Sequence, residues 1–290
     1  MKKIINIIFC TALLVFKIYA QQTDTLKALP NNGTVPGDVM NGPVYKIKPG
    51  IDIPAAILFD AYSIYGMSVI YGRDAIPVTE INALNKNNVN SFDRSVTGNY
   101  SLKAKDASDK FFYGSMPLPL LLMLDKKIRK DGLKMGVLFL ETMGVTGVLY
   151  TTSAMIADRF RPYAYNAEVP MDIRTRGGAR NSFYAGHPAV VATSTFFMAS
   201  VYTHYHPNMK NKWILYTLAG GATAATGLLR LQAGQHFKTD VITGVTMGTL
   251  VGILVPRLHQ NKNFKMAKLS LLPRFENGSS GFTALYKLGK

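Results

Sequence analysis

Cysteine is almost absent from this 290-residue chain, and the single one is Cys10. It lies in an opening stretch, "MKKIINIIFCTALLVFKIYA", that reads as an export signal. Lys2 and Lys3 form the basic start, Ile4 to Phe16 the apolar middle, and Tyr19-Ala20 a small-residue cleavage point. An uncleaved anchor helix is the alternative. Without that segment the chain has no thiol, which excludes disulfides and cysteine-ligated metal and suits a bacterial envelope. Acidic residues are also scarce, 17 against 33 Lys and Arg. The net charge is +16, or +13 once Lys2, Lys3 and Lys17 are set aside. Such a surplus attracts phosphate esters and anionic headgroups; nucleic acid fits poorly, because no interleaved basic and aromatic platform is present. Gly-x-Ser-x-Gly, a Gly-rich phosphate loop and His-Glu-x-x-His are all missing, which removes three large classes of hydrolase. Oligomeric state is not legible.

What is present is a succession of apolar stretches. Residues 21–50 are polar and rich in Pro, Gly and Asn, and read as a linker. Apolar segments follow at 51–71, 111–124, 135–157, 188–203, 213–229 and 240–256. None alternates with period two, and small residues recur, as in "LAGGATAATG". The expectation is an all-α bundle of about six helices over 51–262, packed through small residues. The tail 263–290 contains "AKLSLLPRFENGSSGFTALYKL", which alternates around a turn signal, so a short C-terminal β-hairpin is expected over 266–288. A membrane span needs about twenty apolar residues. Segments 135–157 and 240–256 approach that, with 213–229 close behind; Glu141 interrupts the first, and Asp52 and Asp60 interrupt 51–71. Mean hydropathy is only +0.08. The loops at 125–134, 206–212 and 257–268 are basic, so together they satisfy the positive-inside rule. The loops 158–187 and 230–239 then share the opposite side: a site facing the periplasm if the bundle is embedded, or a soluble periplasmic bundle if it is not.

Those two loops hold the chemistry. They supply Arg159, Arg161, Gly186, His187, Arg230, His236 and Asp240. His236 and Asp240 are four apart, so a helix starting near His236 puts both on one face, where the carboxylate can accept the Nδ1 hydrogen and leave Nε2 as nucleophile or base. Arginines grip phosphate oxygens in forked hydrogen bonds. The Gly186 amide, at a helix start, adds a donor, and His187 can protonate a leaving oxygen. "HYH" at 204–206 reads as a surface loop with no carboxylate nearby, and His259 as a helix cap.

The pattern "RFRP…SFYAGH…RLQAGQHFKTD" resembles the three-part signature of the type 2 phosphatidic acid phosphatase and vanadium haloperoxidase superfamily, in its membrane-associated phospholipid phosphatase branch. That signature runs Lys-x6-Arg-Pro, Pro-Ser-Gly-His and Ser-Arg-x5-His-x3-Asp, and the resemblance covers roughly residues 110–258. It implies a helical bundle with all three motifs at one end. It implies that His236 attacks phosphorus, Asp240 orients it, His187 protonates the leaving alcohol, and Arg161, Arg230 and the Gly186 amide hold the oxygens. It implies no metal or other cofactor for the phosphatase reaction. The expected substrate is a phosphorylated lipid, such as phosphatidate, undecaprenyl pyrophosphate or a lipid A phosphate, or a small phosphate ester.

The departures are specific. The signature's lysine falls on Ala154, its second-motif serine on Ala185 and proline on Tyr184, and its third-motif serine on Leu229. Losing one preorganised donor costs a factor of ~10²–10³ in rate. Arg159, Lys238, Arg176, Arg180 and the Tyr184 hydroxyl are the candidates to replace the missing groups, with Arg159 taken as a phosphate ligand. Two other readings stand behind the phosphatase: a non-enzymatic relative keeping an anion pocket, and a haloperoxidase holding vanadate in the same arginine cage.

Overall fold

The computed structural model describes residues 43–261, 269–276 and 279–286. The export signal with Cys10, and the linker up to residue 42, lie outside the described residues. Six long helices carry the fold: α1 (Pro49–Tyr71), α2 (Leu102–Ser115), α3 (Gly132–Ala157), α4 (Gly186–Tyr205), α5 (Lys212–Gln232) and α6 (Lys238–His259). Four short helices, Val78–Asn82, Ser91–Arg94, Lys126–Arg129 and Met171–Arg174, sit in the connections. Two strands, β1 (Leu269–Glu276) and β2 (Ser279–Tyr286), pair antiparallel with Glu276 opposite Ser279, the arrangement expected for the tail. The described residues are therefore all-α apart from one hairpin.

Helix α4 is the axis of the bundle, packed against α2, α3, α5 and α6. Its sequence explains how a helix with so many hydroxyls is buried. Thr193 and Thr195 donate to the carbonyls of Ala189 (2.9 Å) and Val191 (2.7 Å) one turn back, so the polar group is satisfied inside the helix and only a small side chain faces the neighbour. Thr146 of α3 meets Thr193 hydroxyl to hydroxyl at 2.8 Å.

Helix α6 approaches α4 more closely than any side chain permits. A Cβ on Gly244 or Gly248 would collide with the carbonyl oxygens of Ala185 or Ala189, and one on Gly252 would lie 2.6 Å from that of Thr193. Three glycines at four-residue spacing thus interlock with three α4 carbonyls at the same spacing. The small-residue run singled out in the sequence, on α5, behaves differently: Gly220 and Gly221 face open space. Small residues do set the packing, but on the helix after the one whose composition advertised it.

The bundle has two distinct ends. The His206 ring meets the Asp125 carboxylate at 2.9 Å, and the Tyr205 hydroxyl donates to Asp131 at 2.8 Å, so the basic loops 125–134 and 206–212 lie together. His206 therefore has a carboxylate partner, contrary to the sequence reading, and His204 is helical, its Nδ1 2.7 Å from the Tyr45 hydroxyl. Segments 72–101 and 158–185 gather at the other end, where the Gly98 amide donates to Pro162 (3.0 Å) and Ile76 to Thr175 (2.7 Å).

Among the described residues, four helices, α1, α3, α5 and α6, are long and apolar enough to cross a membrane. The first was discounted from sequence because of Asp52 and Asp60. Asp52 is buried at its first turn, accepting the Lys48 backbone N–H at 2.6 Å. Elsewhere α1 presents Ile57, Leu58, Ile64 and Tyr65 outward, each more than 60% exposed.

The glycine ladder gives a direct prediction. Gly248→Leu forces α6 away from α4 and is expected to destabilise the protein by about 1–3 kcal/mol or more. Gly221→Ala, at an open helical position, is expected to stabilise it by about 0.5–1 kcal/mol. Thermal unfolding of the two variants in detergent, beside the wild type, checks both signs.

Candidate functional site

The turn between α5 and α6 sets the site. Arg230 ends α5, and the chain reverses through Gly234, whose φ of +67° places it in the left-handed region. A side chain there would also collide with the Asn99 carbonyl, so the position requires glycine twice over. His236 follows, and α6 begins only at Lys238. This last point corrects an expectation. His236 lies before the helix, so it shares no helical face with Asp240.

The consequence is visible in the hydrogen bonds. Nδ1 of His236 lies 2.6 Å from the backbone carbonyl of Ser182 and donates to it, which directs Nε2 into the site. Asp240 does not take that hydrogen. One carboxylate oxygen accepts the Ser182 hydroxyl (2.6 Å) and the Phe237 backbone N–H (2.8 Å), and the other accepts from Arg159. Asp240 thus reaches the imidazole through Ser182, and it also closes the first turn of α6. A carboxylate at the third helical position reaches back to the N-cap amide in this way as one half of a capping box; Phe237 has no oxygen to return the bond.

Arg159 is a second correction. It was expected among the phosphate ligands, yet its guanidinium is committed to Asp240, to Asp93 at 2.7 Å and to the Thr239 hydroxyl at 2.9 Å, lying 4.2 Å over the Phe237 ring. Both carboxylates are fully buried. Two such charges require a counter-charge, and Arg159 is the cation the fold brings to them. The other candidate substitutes are similarly occupied. Arg176 pairs with Asp172, Arg180 with Asp158 and Glu80, and Lys238 lies over Phe92. The Tyr184 hydroxyl is buried without a hydrogen-bond partner, its ring edge-on to Tyr150.

Arg161, Arg230, His187 and His236 do converge. The side-chain oxygen of Gln235 accepts from both Arg161 and Arg230, the latter at 3.4 Å. Arg161 is steadied by the Gly178 carbonyl (3.0 Å), and Arg230 donates to Ser108 and Asp109, each at 3.2 Å. Nε of Arg230 is buried without a partner. His187, in the first turn of α4 beside Gly186, stacks on Phe112 at 4.2 Å, with Nε2 3.1 Å from Asp109. The Tyr150 ring lies flat against Gly186, 2.8 Å from where a Cβ would be.

Three of these residues escaped the sequence reading. Asp109 joins His187 to Arg230, Gln235 bridges the arginines, and Tyr150 stands one turn before Ala154 on α3. Gln235 was adjacent to a motif and open to inspection. Asp109 and Tyr150 lie on helices outside the motifs, and only the packing of α2 and α3 against α4 brings them in.

Both histidines are held neutral. Burial lowers the pKa of His236 well below its usual value, helped by the guanidinium groups of Arg161 and Arg230. Burial and Arg230 depress His187 to about 3, against an opposing pull from Asp109. The two arginines are therefore a cationic pocket with neutral imidazoles at its wall, suited to an oxyanion.

Two measurements follow. Arg159→Met strands two buried carboxylates and is expected to cost about 3–5 kcal/mol of stability; a phosphate-binding role would instead leave the melt unchanged and weaken only anion binding. For His187 the folded pKa lies below the unfolded value, so the unfolded chain binds the extra proton. Stability is expected to fall as pH drops from about 6.5 towards 3, with His236 acting in the same direction. Melts at stepped pH check this, and His187→Gln should flatten the slope.

Residues 135–264 match the family model described as the PAP2 superfamily. A lipid A 1-phosphatase of Porphyromonas gingivalis is 34% identical over 83 residues, which is 28% of this chain and 17% of that protein. The chain thus matches about a sixth of the length of that curated relative. Among solved structures, a transmembrane PAP2 type phosphatidylglycerolphosphate phosphatase from Bacillus subtilis is 19% identical, with 69% of this chain and 94% of that chain covered at a TM-score of 0.41. Over residues 135–264, which contain Arg161, His187, Arg230, His236 and Asp240, the chain is thus similar to the PAP2 superfamily.

Proposed function

We propose that this protein is a membrane-bound phosphatase that hydrolyses a phosphate monoester or lipid-linked (pyro)phosphate through a phosphohistidine on His236. One observation carries the reading: a buried imidazole whose Nδ1 is fixed by the Ser182 carbonyl stands beside two buried guanidinium groups that share only a neutral amide oxygen. Fixing Nδ1 frees Nε2 to act on a substrate, and two adjacent arginines that share one amide oxygen can exchange it for a phosphate, although Arg230 also meets Asp109.

The steps follow from the placement of the groups. A phosphate displaces Gln235 from the arginine pair, and its oxygens take Arg161, Arg230 and the Gly186 amide. Nε2 of His236 forms the bond to phosphorus as the bond to the alcohol oxygen breaks. His187 gives that oxygen a proton. The incoming negative charge offsets the arginines that depress His187, so protonation of the acid is coupled to binding. Water then attacks phosphorus, returns a proton to His187 and releases phosphate and free His236. Asp240 and Ser182 are positioning residues. None of these steps calls for a metal.

A lipid-linked substrate, of the class that includes lipid A phosphates, phosphatidate and undecaprenyl pyrophosphate, suits the outer surface. The apolar faces of α1 and α5, with Trp213, Leu218 and Leu228 each more than 60% exposed on the latter, suit lipid contact. Lys126, Lys127, Arg129, Lys130 and Lys134 gather at one end, and by the positive-inside rule this supports a cytoplasmic position for that end and a periplasm-facing site.

One observation favours a second reading. The Asp109 carboxylate already pairs with both Arg230 and His187, as in a retired site whose cations are satisfied internally. Release of phosphate from a panel of phosphorylated lipids, pyrophosphates and small monoesters decides between them. The wild type is expected to turn over at least one lipid-linked member, and His236→Ala none. Ser182→Ala is expected to lower kcat by up to about 10²-fold with KM little changed, because it loosens the nucleophile without touching the anion pocket. A wild type inert on every member would leave the anion-binding reading.

A further inference from the structure

At the other end of the bundle, three ionisable side chains from three long helices meet in the interior: Asp52 of α1, Glu141 of α3 and His259 of α6. All are buried, and Glu141 is completely so. Their ligand atoms lie within 4.8 Å of one another. His259 was expected to cap its helix at the surface; it turns inward instead.

We infer that Asp52, Glu141 and His259 form a binding site for a divalent transition-metal cation, with zinc the best fit. The geometry is the first argument. Nε2 of His259 is 3.2 Å from Oε2 of Glu141 and 3.8 Å from Oδ1 of Asp52. Ligands about 2.1 Å from a tetrahedral zinc stand roughly 3.4 Å apart, midway between those values. Support around the ligands is the second. Nδ1 of His259 donates to the Val255 carbonyl at 2.9 Å, the outer hydrogen bond that typically orients a metal-binding imidazole and directs Nε2 to the ion. The other oxygen of Asp52 accepts the Lys48 amide, which leaves Oδ1 facing the cluster.

Charge is the third argument. His259 lies within 4 Å of both carboxylates, so one imidazole faces two buried acids. A protonated imidazole carries one positive charge against the two carboxylates, and a buried carboxylate without a counter-charge costs several kcal/mol. A divalent cation with neutral His259 compensates both. Glu141 shows where a ligand would fit: Oε2 meets His259 Nε2 at 3.2 Å, while among the described residues Oε1 is buried with no hydrogen-bond partner.

The site is remote from the phosphate chemistry. His259 ends α6, whose 22 residues run from Lys238, so the two ends of the helix lie about 32 Å apart at 1.5 Å per residue. A cation there would tie α1 to α6, whereas α1 otherwise packs chiefly along α3. The inference therefore stands whether or not the protein is a phosphatase.

The test uses the full chain in detergent, stripped with a chelator, dialysed and titrated with zinc chloride. One zinc per chain and an upward shift of the melting temperature are expected, and cobalt in place of zinc should give a visible ligand-field spectrum. Glu141→Gln and His259→Ala are expected to weaken zinc binding by at least about tenfold. The His187→Ala/His236→Ala double variant should bind it normally. Because Gln removes a buried charge, Glu141→Gln without metal should melt no lower than the stripped wild type. A wild type that retains no zinc above buffer overturns the inference. So does zinc that survives Glu141→Gln but is lost from the His187/His236 variant, which would place it on the catalytic histidines.

Discussion

The motif end of this protein depends on how two buried carboxylates are neutralised. Asp93 comes from the α1–α2 connection and Asp240 from the start of α6, and both rest on the guanidinium of Arg159. Neither carboxylate is tolerable alone in a water-free interior. Because the three charges come from three segments far apart in sequence, satisfying them fixes the segments relative to one another. Ser182 hangs on Asp240 by its hydroxyl, and His236 hangs on Ser182 by its ring. The orientation of the candidate nucleophile is thus the last link of an electrostatic chain that begins at the protein's partly open edge. The same chain commits Arg159, beside the motif arginine, to two carboxylates.

A different economy governs Arg161 and Arg230. They hold each other's company against repulsion because Gln235 offers one oxygen to both and Asp109 offers another to Arg230. Asp109 is a counter-ion for Arg230, whereas the Gln235 oxygen between the two arginines is neutral and exchangeable. Charge locked by carboxylates on one side of His236, and charge held loosely by an amide on the other, are the two halves of a site that is rigid where it orients and yielding where it binds.

Much of this was legible in the sequence, and the pattern of what was not is instructive. Apolar segments without alternation gave six long helices, the alternating tail gave a hairpin, and basic loops fell together at one end. Motif spacing brought Arg161, Gly186, His187, Arg230 and His236 to one place. What failed was local. The face shared by His236 and Asp240 assumed a helix that begins two residues later than supposed, and two residues are enough to turn a direct bond into a relayed one. Arg159 was misassigned because its partner Asp93 sits in a connection with no motif. Glu141 and Asp52 were read as interruptions to apolar runs, since a linear scan sees a charge in a helix but not the histidine that meets it from another helix 118 residues further on.

The three glycines of α6 carry a further meaning. They bring backbone against backbone, so the two helices mesh like a rack with teeth one turn apart. His187 rides near the start of one helix, and His236 is tethered just ahead of the other. Their separation is therefore set by the pitch of that rack and not by the length or sequence of the segments between them. Those segments can change to admit a different headgroup while acid and nucleophile keep their gauge.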